Sequence, residues 1–519
     1  MKIEVLDTTL RDGAQAEGIS YSVSDKLSIA KVLDNIGIDI IEAVNPIATP
    51  KDVELCEKLS KVTFQNSRLC VFGSTRRKDK KVNEDKNIKA IIDSNIKTAS
   101  IFGKSSVFQA EKVLLVSKKE NLEIIFDTIS YLTENGIDVL FDAEHFFDGY
   151  KENSEYALEV LTVAKNAGAK TLVLCDTNGG SFPDEIYSIT KDVVDKIKAK
   201  IGIHCHNDMG FATGNTYMAV IAGATHIQGT FTGFGERCGN AALSSLIPAL
   251  EIKKDYELIP KDKLKLLTSS AREIAEISNI ILSNNKPFVG HSAFTHKAGM
   301  HLDGVYKDKS SFEHIDPAKI GNSSRFLISE LSGKSALIMK LKSFCSKDEI
   351  KNIDISVLLD KIKKLEQKGY SFESAGGSFE LIVYKELGNF VPSFKLEKFK
   401  LISFLDADNL SKTEVTMNIT VGNAHKTSVA VGEGPVHALD NALRAALIDF
   451  YPELSALSLS DYKVRVLEGK ATTSSRVRVL IESTDGKNVW NTIGVSNDII
   501  KASFIALVDA IELKLLNIN

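Results

Sequence analysis

From residue 1 to about 260, short apolar runs alternate with longer amphipathic stretches. The runs are Ile3–Leu6, Ile38–Glu42, Arg68–Phe72, Thr98–Phe102, Asp138–Phe141, Thr171–Cys175, Ile201–His204 and Thr225–Gln228. Each ends at a polar or glycine-containing loop, as buried parallel strands do. Between them, Ser24–Asn35, Asn121–Asn135, Ser154–Ala167 and Glu185–Lys198 carry apolar residues at helical spacing. Eight strand–helix units in roughly 250 residues predict an α/β fold, a (β/α)8 TIM barrel.

Past residue 265 the alternation stops. Ser269–Ser283 and Lys347–Lys368 predict helices. The polar segment Gly290–Asp316 between them holds His291, His296, His301 and His314. Long polar loops in a compact enzyme tend to be functional. From about residue 395 a weak repeat appears, with Val415 and Val477 set 62 positions apart. Val415, Met417, Ile419 and Val421 alternate as a strand should, and so do Val477, Val479 and Ile481. Each run leads to a turn, a second strand, a glycine (Gly432, Gly494) and a helix, Pro435–Phe450 or Asn497–Leu516. The expected organisation is therefore a barrel over 1–265, a mostly helical linker subdomain over 266–390, and a C-terminal α+β domain of paired ββα units over 391–519. That last domain carries no metal-type or nucleophile cluster, which points to regulation or dimerisation.

The composition is that of a globular protein, with 43% hydrophobic and 25% charged residues. A net charge of −4 with intermixed signs gives no reason to expect nucleic acid or an anionic membrane as partner. No apolar run approaches the ~18 residues needed to span a bilayer. The six cysteines form no Cys-x-x-Cys pair. Free thiols and a cytoplasmic location are the expectation.

Barrel enzymes place their chemistry at the C-terminal ends of the strands. Arg11-Asp12, Asp142/Glu144, Asp176-Thr177-Asn178, His204/His206 and the loop Gly233–Asn240 all follow predicted strands. In an extended segment His204 and His206 share a face. With Asp12 from another strand end they suit a divalent ion (Mg, Mn or Zn) with open positions for substrate oxygens. The alternative is two satisfied histidines and a turn aspartate.

Three stretches carry a family resemblance: Asp7-Thr-Thr-Leu-Arg-Asp-Gly13, His204-Cys-His-Asn-Asp208 and Gly235-Glu-Arg-Cys-Gly-Asn-Ala241. Together they resemble the DRE-TIM metallolyase superfamily, in its 2-isopropylmalate, homocitrate and citramalate synthase branch. The terminal repeat is similar to that branch's regulatory, dimerising domain through Gly432–Leu439 and Trp490–Val495. Gly13–Ile19, Asp142–Tyr150 and Ser371–Glu380 look most like citramalate synthases.

The resemblance implies condensation of acetyl-CoA with a 2-keto acid and hydrolysis of the thioester. For citramalate synthases the keto acid is pyruvate, and the pathway leads to isoleucine. Asn240 matches the branch's fourth protein ligand to the metal. Arg11 is expected beside the keto oxygen, where it stabilises the developing alkoxide; its structural alternative is a salt bridge. Thr177 matches a group that binds the keto-acid carboxylate, or else caps a loop. Gln15 positions pyruvate or water, or only packs its loop. Glu144 and His301 are the candidates for acid/base and hydrolytic work, with their division open. Phe102 limits the keto-acid pocket.

Two departures stand out. Phe312 replaces a tyrosine of the branch, and Glu42–Pro50 replaces a Gly- and Trp-bearing loop, which leaves Glu42 and Asn45 as supporting groups. A homodimer with isoleucine as effector is implied, with small residues Gly432, Gly434, Ala471 and Gly494 near the strand–helix junctions. The rival readings are 2-isopropylmalate or homocitrate synthesis, and a non-catalytic amino-acid sensor. The terminal repeat argues against the cleavage reaction of hydroxymethylglutaryl-CoA lyases.

Overall fold

A computed structural model of the chain describes every residue except 48, 298–300, 302, 303, 306, 327–332, 343, 389, 407, 468–474, 487 and 517–519. Two compact units divide it: Met1–Phe294 with His314–Ser324, and Thr295–Glu313 with Arg325–Asn519.

The first unit is a closed barrel of eight parallel strands in sequence order: β1 (Glu4–Asp7), β2 (Ile40–Val44), β3 (Arg68–Ser74), β4 (Thr98–Lys104), β5 (Asp138–Glu144), β6 (Thr171–Asp176), β7 (Ile201–Cys205) and β8 (His226–Gly229). Pairing of β1 with β8, from Glu4↔His226 to Asp7↔Gly229, closes it. All eight expected strands form. The first crossover shows why its helix sits at Val23–Ile36. Ser22 and Asp25 make a reciprocal capping box, and Gly37, at φ 90°, ends the helix. Its inner stripe, Ile29, Leu33 and Ile36, is fully buried.

Two helix expectations shift. The expected Ser269–Ser283 helix is Leu267–Ile277, because Asn279 takes a left-handed φ of 53° and breaks the ladder. The expected Lys347–Lys368 helix, in the second unit, is two: Lys347–Lys351 and Ile355–Gln367. The Asp354 carboxylate accepts from the N–H groups of Ser356 and Val357 and so starts a new helix.

The second unit begins with a small parallel pair, β9 (Thr295–His296) and β10 (Arg325–Phe326). A helical cluster follows, with Leu337, Leu341, Leu358, Ile362 and Phe379 in its core. The terminal repeat forms two antiparallel sheets: β11 (Lys395–Leu405), β12 (Ser411–Val421) and β13 (Ala424–Gly432), then β14 (Ser458–Val466), β15 (Val477–Thr484) and β16 (Val489–Ser496). Each ββα unit is thus preceded by a further strand. β11 and β14 are edge strands with few buried positions, so they lack the alternation that marks their neighbours. Helices Pro435–Leu447 and Ile499–Leu516 share one core with Val415, Met417, Ile419, Val479 and Ile481. Gly432 and Gly494 have a physical cause: a Cβ at either would strike backbone at Ala438 or Ala502 of the helix packed on its sheet. Ala471, and all of Ala298–Asp303 but His301, lie outside the described residues.

Candidate active site

Leu6, Ile40, Cys70 and Leu140 pack together in a layer across the barrel interior. With a side-chain period of two, the next inward positions are Glu42, Phe72 and Asp142. His204 and Gln228 stand near the ends of β7 and β8. After β1 the chain turns back sharply. Thr8 N–H donates to Gly229 O, Gly13 N–H donates to Thr8 O, and Asp7 Oδ1 accepts from Thr9 N–H. This turn carries Arg11 and Asp12 over the barrel mouth. Burial raises the Asp7 carboxyl to about 7.

Asp12, His204 and His206 are all buried and offer ligand atoms within 4.8 Å of one another. His204 Nε2 lies 3.4 Å from Asp12 Oδ2 and 3.3 Å from His206 Nε2. Asn240 Nδ2 is 3.1 Å from Asp12 Oδ2 and 3.3 Å from His204 Nε2. Asp12 Oδ1, Asn240 Oδ1 and His206 Nδ1 are buried without a hydrogen-bond partner among the described residues. A Cβ at Gly235 would collide with Asn240 Oδ1 and sit 3.4 Å from Asp12 Oδ1, so the glycine keeps this cradle open. Buried carboxylate oxygen, two imidazoles and an orphaned amide oxygen fit a divalent cation. Exchange of the Asn240 amide atoms would present its oxygen to the same point.

The electrostatics of Asp12 and His206 favour this use. Burial alone would raise the Asp12 pKa. The Arg11 charge and the His204 hydrogen bond outweigh it and hold the carboxylate well below its usual range. Burial and neighbouring His204 push His206 down to about 4, which keeps the imidazole neutral and its lone pair available. For His204, burial is outweighed by the Asp12 hydrogen bond and charge, so its pKa rises.

A buried chain of side chains orients His204. Ser100 Oγ donates to Asp142 Oδ2 at 2.5 Å, Gln228 Nε2 donates to Asp142 Oδ1 at 3.1 Å, and Gln228 Oε1 is 3.0 Å from His204 Nδ1. The carboxylate only accepts, so it fixes the amide nitrogen of Gln228 toward itself. The amide oxygen then receives the Nδ1 proton, which leaves His204 Nε2 as the acceptor facing Asp12 and His206.

Arg11 Nε donates to Glu42 Oε1 at 2.5 Å, and its guanidinium carbon lies 3.9 Å from the Phe72 ring centroid. Phe72 in turn stacks on Phe102 at 5.3 Å. Gln15, in the turn Gly13–Gln15, is exposed, with Oε1 3.5 Å from Arg11 Nη1. Lys104 pairs with Glu144 across adjacent strand ends. Thr177 Oγ1 accepts from His145 N–H at 2.8 Å, which leaves its own proton to donate. Asn45 Oδ1 accepts from Ile47 N–H within its loop.

His301 belongs to the second unit, where it is exposed and stacked on Phe312 at 4.3 Å. It is not among the residues the barrel unit gathers. Of the other histidines, His314 stacks on Phe294, and His296 lies 3.3 Å from Glu313. Sequence reasoning did not single out Gln228, Ser100 or Lys104. Their signal was positional: Ser100 and Lys104 lie two residues on either side of Phe102 in β4, and Gln228 lies near the end of β8.

Residues 2–280 match the HMGL-like family, 288–370 the homocitrate synthase post-HMGL domain-like family, and 373–515 the LeuA allosteric (dimerisation) domain. The (R)-citramalate synthase of Aquifex aeolicus is 47% identical over 99% of this chain and 98% of its own length. That of Sulfolobus acidocaldarius is 44% identical over 98% of this chain and 96% of its own. The 2-isopropylmalate synthase of Streptococcus gallolyticus is 33% identical over 98% and 95%. One family matches more than half of the chain, and relatives sharing a single name align along nearly all of it: the chain belongs to the HMGL-like family and, within it, to the (R)-citramalate synthase group.

Proposed function

We propose that this chain condenses acetyl-CoA with pyruvate and hydrolyses the thioester, giving (R)-citramalate and CoA for isoleucine biosynthesis. The observation that carries this reading is the gathering of Asp12, His204 and His206 beside an Arg11 held by Glu42, in a chain 47% identical over 99% of its length to a protein of that name.

Asp12, His204, His206 and Asn240 would hold a divalent ion, Mg, Mn or Zn, which when bound supplies Lewis acidity and a template for the 2-keto acid. Arg11 faces the keto oxygen and stabilises the negative charge that develops there as the C–C bond forms. Glu42 fixes the direction of the guanidinium through Nε, Nη1 lies beside Gln15 and Asp12, and Nη2 is left for substrate. Thr177 donates its hydroxyl proton to the keto-acid carboxylate, and Gln15 borders the same pocket. The acetyl methyl is a weak acid and needs a positioned base. Glu144, held by Lys104, serves the acetyl group, and His301 serves proton transfer and hydrolysis.

The test is metal-dependent release of free CoA from acetyl-CoA across pyruvate, 2-ketobutyrate, 2-ketoisovalerate and 2-ketoglutarate. A clear preference for pyruvate is the expected result. Preference for a larger keto acid would move the chain to 2-isopropylmalate or homocitrate synthesis.

The same reading assigns catalysis to 1–265, a linker to 266–390, and dimerisation with isoleucine feedback to 391–519. Isoleucine that neither binds by calorimetry nor slows turnover would remove the feedback role. Its setting is the cytoplasm, in keeping with six free cysteines. No described helix is long and apolar enough to cross a membrane.

A further inference from the structure

Three neighbouring loops at the barrel mouth each carry a group assigned above. Thr177 follows β6, His206 follows β7, and Asn240 lies in the loop after β8. Backbone joins the last two directly. His206 and Asn240 form an antiparallel bridge, and Asn207 N–H donates to Gly239 O at 2.9 Å. The β6 loop is held to the β7 loop by longer bonds, Met209 N–H to Gly179 O and His206 N–H to Asp176 O, both at 3.3 Å.

Arg237, in the β8 loop, ties all three together. Its Nε donates to Asp208 Oδ1 at 2.8 Å and its Nη2 to Asp208 Oδ2 at 3.0 Å, a fork on the β7 loop. Nη2 also donates to the Thr177 carbonyl oxygen at 2.7 Å. Among the described residues no other hydrogen bond joins the β6 and β8 loops.

The backbone is arranged around this contact. Arg237 takes a left-handed φ of 54°, a costly conformation for a long side chain. Gly179 is left-handed too, at 59°, and a Cβ there would come within 2.5 Å of Asp208 Oδ2 and 2.9 Å of His206 O. Glycine at that position leaves the Asp208 carboxylate its place beside the arginine. Stability does not explain the pair. Its side chains are 40% and 26% exposed, and exposed ion pairs contribute little. What a forked contact with a third bond fixes is geometry.

We propose that Arg237 is a positioning residue for the keto acid. By gripping Asp208 and the Thr177 carbonyl together, it sets the span between the Thr177 hydroxyl and the side chains of His206 and Asn240. His145 N–H holds the same hydroxyl from its other side. A 2-keto acid has to bridge that span, its carboxylate at Thr177 and its keto oxygen toward His206 and Asn240. This role rests on the functions proposed above for those three residues.

Arg237→Lys keeps the charge and the backbone demand and loses the fork. Asp208→Asn breaks the fork from the other side. In the full-length enzyme with Mg, each variant should raise KM for pyruvate about tenfold or more and leave KM for acetyl-CoA within about twofold. In the metal-stripped protein, calorimetric titration with Mn should show affinity weakened by about tenfold or more. The double variant should lose no more than the worse single one, because both break one clamp. Tm should change little.

A fall in kcat with both KM values and Mn affinity unchanged would show a merely structural contact and overturn the role. Unchanged constants throughout, in a protein that makes citramalate from pyruvate, would overturn the role and leave the function standing. A protein that prefers a larger keto acid, with a KM for that acid that rises in Arg237→Lys, would support the clamp and overturn pyruvate as substrate. No CoA release with any keto acid, and Mn affinity indifferent to both variants, would overturn both.

Discussion

Gln228 Oε1 lies 3.0 Å from His204 Nδ1 in the barrel interior, and the Gln228 amide nitrogen is held by Asp142. This contact decides which nitrogen of His204 carries the proton. It leaves Nε2 free to face Asp12 and His206. An imidazole held in the other tautomer would present an N–H to that point and repel a cation.

Gln228→Leu should therefore weaken divalent-metal affinity by about 10- to 100-fold while the barrel still folds. Calorimetric titration of the metal-stripped protein with Mn checks this. Unchanged affinity would mean that Gln228 only fills space.

Asp12→Ala should cost more. It removes the carboxylate that faces His204 and counters the Arg11 charge. Metal-dependent CoA release should fall by more than about a hundredfold, with circular dichroism unchanged. Normal turnover would remove the metal assignment.

Phe102 stacks on Phe72 at the barrel mouth, and its truncation enlarges the space near Arg11. In Phe102→Ala, the kcat/KM for 2-ketoisovalerate relative to pyruvate should rise by about tenfold or more. An unchanged ratio across the keto acids would show that Phe102 does not limit substrate size.

Gly494 is backed by Ala502 carbonyl oxygen and, at 3.1 Å, by Ala506 N. Backbone cannot yield as a side chain tip can. Gly494→Val should destabilise the terminal domain by about 3 kcal/mol. A lowered Tm of the full-length protein is the expected readout.

Asp509 tests the same domain by pH. Burial raises its carboxyl to about 6, against lowering by the Ser378 hydroxyl, which donates at 2.6 Å, and by Lys385. The unfolded chain ionises this group near pH 4 and the folded one near 6. Between those values the folded state binds more protons, so this group's contribution to stability falls as pH rises. Asp509→Asn should remove that decline, and its Tm advantage over the parent should be larger at pH 7 than at pH 4.5. Equal advantages at the two pH values would count against a buried, raised carboxyl.

Much of this was legible in order along the chain. Alternation of period two marked β12 and β15, and apolar runs between amphipathic stretches marked every barrel strand. Local signals failed where the environment decides the outcome. β11 is largely exposed and lacks the alternation of a strand with a buried face. The break at Asp354 depends on a cap formed with two N–H groups that a helical-spacing argument counts as ladder donors.

The sequence by itself determined the barrel, the terminal repeat and the ligand-type residues Asp12, His204 and His206, because strand periodicity and strand-end position are properties of short segments; Asn240 came only through the family resemblance. Only the tertiary structure decided the partners: Glu42 with Arg11, Lys104 with Glu144, Gln228 with His204. The paired residues are 24 to 40 positions apart in the chain and sit on different strands, with only Arg11 in a turn, just past the end of β1. Barrel closure and strand register bring them within hydrogen-bonding distance, and burial in a low-dielectric interior makes those contacts direct the chemistry.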